Sequence, residues 1–130
     1  MSFRWPLRVY WEDTDAAGIV FYANYLKFFE RARTEWLRAK GFEQEKLRTE
    51  RSLGFVVTRT EMRYRAPARL DDTLEVTVEL TRLGTASLQL AQAAWRAGEL
   101  CAEGSIRVGS VHLGTYRPMP IPPDILATLR

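Results

Sequence analysis

The chain has 130 residues, 46% hydrophobic and 27% charged, with a net charge of +3 and a pI near 9.3. One domain spanning residues 1–130 follows, large enough to bury roughly two thirds of its unfolded surface, and the composition excludes disorder. No apolar run approaches the roughly 18 residues of a membrane span. The N-terminus lacks the apolar stretch of a signal peptide, and the lone Cys101 cannot form an internal disulfide, so the expected compartment is the cytoplasm. The 19 basic residues are interspersed with 16 acidic ones without a long basic run. That balance suits a phosphate-bearing ligand and argues against nucleic acid.

Residues 7–11 alternate and are rich in aromatics, which predicts a first strand ending near Glu12. An acidic loop follows, with Glu12, Asp13 and Asp15 within four positions, then Ala16, Ala17 and Gly18. Such a cluster repels itself and is costly to bury, so it serves chemistry, holds a cation or stays solvated. Over residues 23–40 the positions of Tyr25, Phe28, Phe29, Ala32, Trp36 and Leu37 form one helical stripe. Gly41 stands where a C-terminal cap belongs. Residues 42–51 read as a short, exposed helical piece.

The apolar period then changes to two. Strands are predicted over 53–65 and 74–81, with turn chemistry at Pro67 to Asp72 and at Gly84. Leu88 and Leu90 share one face while Ala91, Ala93 and Trp95 share the other, a one-residue slip of the apolar register that a β-bulge would produce. Gly98 and Glu99 mark another hairpin, residues 100–113 a last strand, and the four prolines between Tyr116 and Pro123 end the sheet. Residues 124–129 suit a short terminal helix. Five strands joined mostly by tight turns, with one very apolar helix, predict an α+β fold in which one antiparallel sheet wraps a central helix.

Several chemistries are excluded. One histidine, His112, and one cysteine cannot build a His/Cys metal site. No nucleophile-elbow, Walker or dinucleotide motif occurs. The run from Asp13 to Gly18 begins like a calcium loop, but Ala17 and Asn24 occupy ligand positions. What remains is a carboxylate beside a helix start, whose unpaired amides near Tyr22 and Ala23 can stabilise a developing oxyanion. An ionised aspartate there could attack a carbonyl, or take a proton from an attacking water. A solvated acidic turn tethering the helix is the plain alternative.

The run from Val9 to Tyr25, VYWEDTDAAGIVFYANY, followed by Phe29 to Glu35, FERARTE, resembles the signature of hotdog-fold acyl-CoA thioesterases of the 4-hydroxybenzoyl-CoA thioesterase type. Within that group it is most similar to the thioesterase associated with the Tol-Pal cell-envelope system. The likeness includes Phe3 to Pro6 and Tyr64 to Asp72 and weakens after Gly84. It implies a hotdog fold, a five-stranded antiparallel sheet around the long helix, assembled as homodimers and commonly homotetramers with active sites at the dimer interface. By position, Asp15 matches the catalytic aspartate, nucleophile or general base; the Tyr22 amide matches the oxyanion donor; Gly18 permits the turn between them. Asn24 and Tyr25 match the motif without an assigned chemical role. Tol-Pal-associated enzymes usually carry histidine at the position of Tyr22, whereas the 4-hydroxybenzoyl-CoA enzymes have tyrosine.

The resemblance further implies basic side chains near the dimer edge that meet coenzyme A phosphates. Arg59, Arg63 and Arg65, on one strand face, and Arg82, Thr85 and Ser87, around the next turn, are the candidates. The expected activity is hydrolysis of an acyl-CoA to free acid and coenzyme A, with no metal or bound cofactor. The rival from another class is a non-catalytic module of the same fold that binds an acyl group or acyl carrier protein. A hotdog dehydratase would need an acid/base histidine near the helix, and His112 lies in another element.

Overall fold

The computed structural model describes residues 2–130. Five strands, β1 (Phe3–Arg8), β2 (Leu53–Tyr64), β3 (Thr73–Leu83), β4 (Ser87–Arg96) and β5 (Glu99–His112), form one antiparallel sheet in the order β1-β3-β4-β5-β2. The helix α1 (Tyr25–Ala39) lies across one face of this sheet, and α2 (Gln44–Arg51) and α3 (Pro123–Leu129) are short. This is the α+β architecture that the element order predicts. No described helix is long and apolar enough to cross a membrane.

The α1 side chains that reach the core are Tyr25, Phe28, Phe29, Ala32, Trp36 and Leu37, the stripe expected from their spacing. They meet the alternating inward residues of the sheet, Leu74, Val76 and Val78 of β3 and Leu88, Leu90 and Ala94 of β4. Burying one Leu or Phe side chain contributes roughly 1.5–3 kcal/mol, so this stripe is what holds helix to sheet. The helix ends at Gly41, whose φ of +97° suits the left-handed turn that sends the Phe42 N–H back to the Leu37 carbonyl at 3.0 Å. The exposed α2 is tied to α3 by a two-bond clamp, in which the Arg51 guanidinium donates to both carboxylate oxygens of Asp124 at 3.0 and 2.8 Å.

Two sequence expectations are corrected. The first strand occupies Phe3–Arg8, not residues 7–11, and Trp11–Asp13 instead forms a 3-10 turn. The strand stops because its partner β3 begins at Thr73, opposite Arg8, and because the Asp13 carboxylate accepts the Tyr10 N–H at 2.8 Å and bends the chain away. Second, β4 shows no slip between Leu90 and Ala91. The alternation runs unbroken, with Leu88, Leu90, Gln92 and Ala94 inward, and the register shift comes later, between Ala94 and Trp95. The apparent slip reflects a polar residue in the core. Gln92, 2% exposed, donates to the Phe29 carbonyl at 3.0 Å and accepts from the Arg33 guanidinium at 3.0 Å, so its amide is satisfied by α1 itself.

Candidate active site

The loop between β1 and α1 is anchored at its base. Asp13 is 3% exposed, and besides the Tyr10 N–H its carboxylate accepts the Asn24 side-chain amide at 2.8 Å; Asn24 is itself buried. The Asp13 carbonyl takes the Phe21 N–H at 2.9 Å. Of the three clustered carboxylates, then, one is buried with charge-assisted bonds that offset its desolvation, and it ties the loop's entry to the helix start. Asn24, a motif residue without an assigned role, is the other half of this tie.

Beyond the anchor the chain makes a small protruding turn. The Thr14 and Val20 positions bridge antiparallel, the Asp15 N–H donates to the Ile19 carbonyl at 3.0 Å, and the Gly18 N–H returns to the Asp15 carbonyl at 2.9 Å. Gly18 has φ +79°, a conformation that favours glycine over any side chain. A second edge holds the turn down: Val20 donates to the Ala68 carbonyl at 2.8 Å, and Ile19 bridges to Arg69. At its tip stands Asp15, exposed, with one carboxylate oxygen accepting the Ala17 N–H at 2.9 Å. The remaining oxygen is free among the described residues for a substrate or a water.

Downstream, the chain enters α1 through a 3-10 turn over Tyr22–Asn24. Tyr22 opens this turn, and among the described residues its N–H has no acceptor. An unpaired amide at the head of aligned peptide dipoles attracts negative charge. Asp15 and the Tyr22 amide therefore belong to one loop, fixed at Asp13 and Asn24.

Aromatic rings cluster at the helix entrance. The Tyr22 ring lies edge-on to Tyr64 with centroids 6.1 Å apart, and Tyr64 in turn sits 5.8 Å from Tyr25. Tyr25 is buried in the core, where burial foremost, with the nearby Cys101 thiol, pushes its hydroxyl up to about 12. It stays neutral at physiological pH and packs edge-on against Phe28. Tyr64, last residue of β2, was not among the sequence candidates; the alternation of β2 contains no signal that its end reaches back to the helix start.

The arginine candidates divide. Arg59 and Arg63 project from the sheet face away from α1, opposite Arg107 and Glu103 of β5. Arg65 does not share their strand, which ends at Tyr64; its N–H donates to the Cys101 carbonyl at 2.8 Å and its side chain pairs with Glu103 at 3.1 Å. Arg82, Thr85 and Ser87 surround the β3–β4 turn, where the Thr85 carbonyl accepts the Ile121 N–H at 2.9 Å. This turn lies at the far end of the sheet: Ser87 is level with Gly109 of β5, and Tyr64 with Ala102. Seven residues of strand separate the two levels, roughly 23 Å at about 3.3 Å per residue. Asp15, Gly18 and Tyr22 thus share the loop between β1 and α1, and the β3–β4 turn lies at the end of the sheet away from Tyr64. Among the described residues no group of three His, Cys, Asp or Glu side chains could hold a metal ion.

Residues 9–129 match the family model of the thioesterase-like superfamily. The chain is 44% identical over 129 residues to the acyl-CoA thioester hydrolase YbgC of Escherichia coli O6:H1, covering 98% of this chain and 96% of that protein. It is 41% identical to the acyl-CoA thioesterase YbgC of Haemophilus influenzae, covering 97% and 93%. A probable thioesterase from Bartonella henselae, 30% identical, superposes with a TM-score of 0.90 over 94% of this chain and 100% of that one. In sequence across nearly its whole length and in fold, the chain belongs to the thioesterase-like superfamily, with the hotdog architecture of a five-stranded sheet around one long helix.

Proposed function

We propose that the protein hydrolyses acyl-CoA thioesters to a free acid and coenzyme A, with Asp15 as the reacting carboxylate and the Tyr22 amide as oxyanion donor. The observation that carries this reading is the unpaired Tyr22 N–H at the helix entrance, on the same anchored loop as the exposed Asp15. The names of the E. coli and H. influenzae relatives support the activity.

The thioester carbonyl oxygen accepts the Tyr22 N–H, which strengthens as the oxygen becomes negative. In one route the free Asp15 oxygen attacks the carbonyl carbon, the C–S bond breaks, coenzyme A leaves as thiolate, and water cleaves the resulting acyl anhydride. In the other, Asp15 takes a proton from a water whose oxygen attacks the same carbon, and the tetrahedral intermediate expels the thiolate. Both routes need an ionised Asp15 and release one thiol per acyl group. Gly18 lets the chain double back so that Asp15 and Tyr22 face one substrate.

The working unit in this reading is a homodimer, assembled further into a homotetramer, in a cytoplasmic enzyme. Exposed Val56 and Val57 on the edge strand β2, with the exposed Tyr22 and Tyr64 rings, support a second copy covering this side and completing the substrate walls. Acyl carrier protein is a second carrier for the same thioester chemistry.

The test is thiol release from short, long and aromatic acyl-CoAs by wild type and Asp15→Asn. Turnover by the wild type and a fall of about 100-fold or more in the folded mutant is the expected result. Unchanged turnover in Asp15→Asn would sink the mechanism. Stoichiometric binding without turnover would make the protein an acyl-binding module instead.

A further inference from the structure

The turn between β2 and β3, residues 65–72, is bonded to both sides of the loop that carries Asp15. On the entry side the Val9 N–H donates to the Asp72 carbonyl at 2.8 Å, and the Asp71 N–H donates to the Val9 carbonyl at 3.0 Å. On the exit side, besides the Val20 bond to Ala68, the Ile19 carbonyl accepts the Asp15 N–H while Ile19 itself bridges to Arg69. Val9, Val20 and Ala68 are buried. Asp15 is thus one hydrogen bond from Ile19, and Ile19 one bridge from the turn. A displacement of residues 68 and 69 carries the carboxylate with it.

Arg96, the last residue of β4, braces this turn. One of its guanidinium nitrogens donates to the Pro67 carbonyl at 2.9 Å and to Asp72 Oδ2 at 2.9 Å, and the other pairs with Glu99. The same Asp72 oxygen accepts the Arg69 N–H at 2.8 Å. Pro67 and Asp72 flank the stretch whose Ala68 and Arg69 meet the loop, so the arginine holds that stretch from both ends. Asp71 within it has φ +72°, an uncommon conformation for a residue with a side chain, which the bonds on either side maintain. The Arg96 and Asp72 side chains are only 24% and 25% exposed, so solvent ions screen this pair less than one in open water. A comparable two-bond pair, Arg51 with Asp124, joins α2 to α3 instead.

We infer that Arg96 and Asp72 are positioning residues for the reaction proposed above: acting through Ala68, Arg69 and Ile19, the braced turn sets where the Asp15 carboxylate stands relative to the helix start. The catalytic part of this inference rests on the proposed hydrolysis. The mechanical part rests on the bonding alone.

Amide hydrogen exchange tests the mechanical part on wild type, Arg96→Gln, Asp72→Asn and Arg51→Gln. Asp72→Asn keeps an oxygen for the Arg69 N–H and is the milder change, should Arg96→Gln fail to fold. Exchange at the Val20 amide should quicken about tenfold or more, relative to Val76 and Val78 of β3, in the two brace variants, as local opening does, and stay at the wild-type rate in Arg51→Gln. Thiol release from an acyl-CoA tests the catalytic part. In the brace variants kcat should fall about tenfold to 100-fold, the scale of a small misplacement, with KM within about twofold of wild type, while Arg51→Gln should turn over normally. When Asp15 is already Asn, the further loss caused by Arg96→Gln should shrink to about twofold or less, since the group being placed is gone. Unchanged Val20 exchange in both brace variants would overturn the proposal, and so would the full loss of kcat repeated in the Asp15→Asn background. If the wild type releases no thiol from any acyl-CoA, the proposed hydrolysis fails, and quickened Val20 exchange would still establish the brace.

Discussion

Asp13 and Asn24 hold each other in the protein interior, the Asn24 amide donating to the Asp13 carboxylate at 2.8 Å across eleven residues of chain. This pair closes the loop that carries Asp15 at its tip and the Tyr22 amide at its end. Truncating Asn24 to Ala leaves a buried carboxylate with one bond fewer, which should cost about 1–3 kcal/mol of stability. Asp15→Asn, on an exposed turn, should leave the urea midpoint within about 0.5 kcal/mol of wild type. Paired denaturation curves check both, and an undisturbed midpoint in Asn24→Ala would show that the tie is not structural.

The oxyanion role belongs to a backbone group, so the informative change at Tyr22 is one that deletes its N–H. Phe21 has φ −60° and ψ 130°, the extended conformation that a residue before proline requires, and proline is tolerated at the first position of a helical turn. Tyr22→Pro should therefore fold, and should lose about 100- to 1,000-fold in kcat if the amide stabilises the transition state. Tyr22→His keeps the amide and should keep most of the activity. Full activity in a folded Tyr22→Pro protein would remove the amide from the mechanism.

Much of this was legible in the sequence because it is written in periodicity. The α1 stripe from Tyr25 to Leu37 and the alternation of β3 state their own burial, and Gly18 and Gly41 mark turns with positive φ. What stayed hidden depends on which strands become neighbours. Gln92 breaks the apolar pattern of β4, and its acceptability depends on α1 supplying Phe29 and Arg33 as partners. Asp13 looks like its solvated neighbours until Asn24 is folded against it. The Asp15 and Tyr22 assignment rests on resemblance to a family motif, since composition alone favours a solvated turn.

The helix sits close to the sheet at one point. A Cβ on Gly104 of β5 would lie 2.7 Å from the Glu61 carbonyl oxygen, 2.5 Å from the Met62 sulfur and 3.3 Å from the Phe29 ring. The methionine can move aside; the carbonyl, part of the β2–β5 ladder, cannot without disturbing the strand pair. Gly104→Ala should lower stability by about 1–3 kcal/mol through overpacking. A midpoint equal to that of wild type would show that Phe29 and β2 can yield without cost.

Burial of Tyr25 makes stability depend on alkaline pH in a defined direction. Its hydroxyl is raised from 10.0 to about 12, foremost by desolvation, so between these values the unfolded chain has released a proton that the folded protein still holds. The unfolded state then binds fewer protons, and unfolding free energy falls as pH rises from about 10 to about 12; below pH 10 this contribution is fully present. Tyr25→Phe removes the group and should reduce the slope in that window, where Cys101 and Tyr64, also raised by burial, leave a slope of their own. Urea midpoints at pH 9, 10 and 11 for the two proteins decide it. Parallel curves would mean that the Tyr25 hydroxyl ionises as easily in the folded protein as in water, and that the wall between α1 and β2 admits solvent to it.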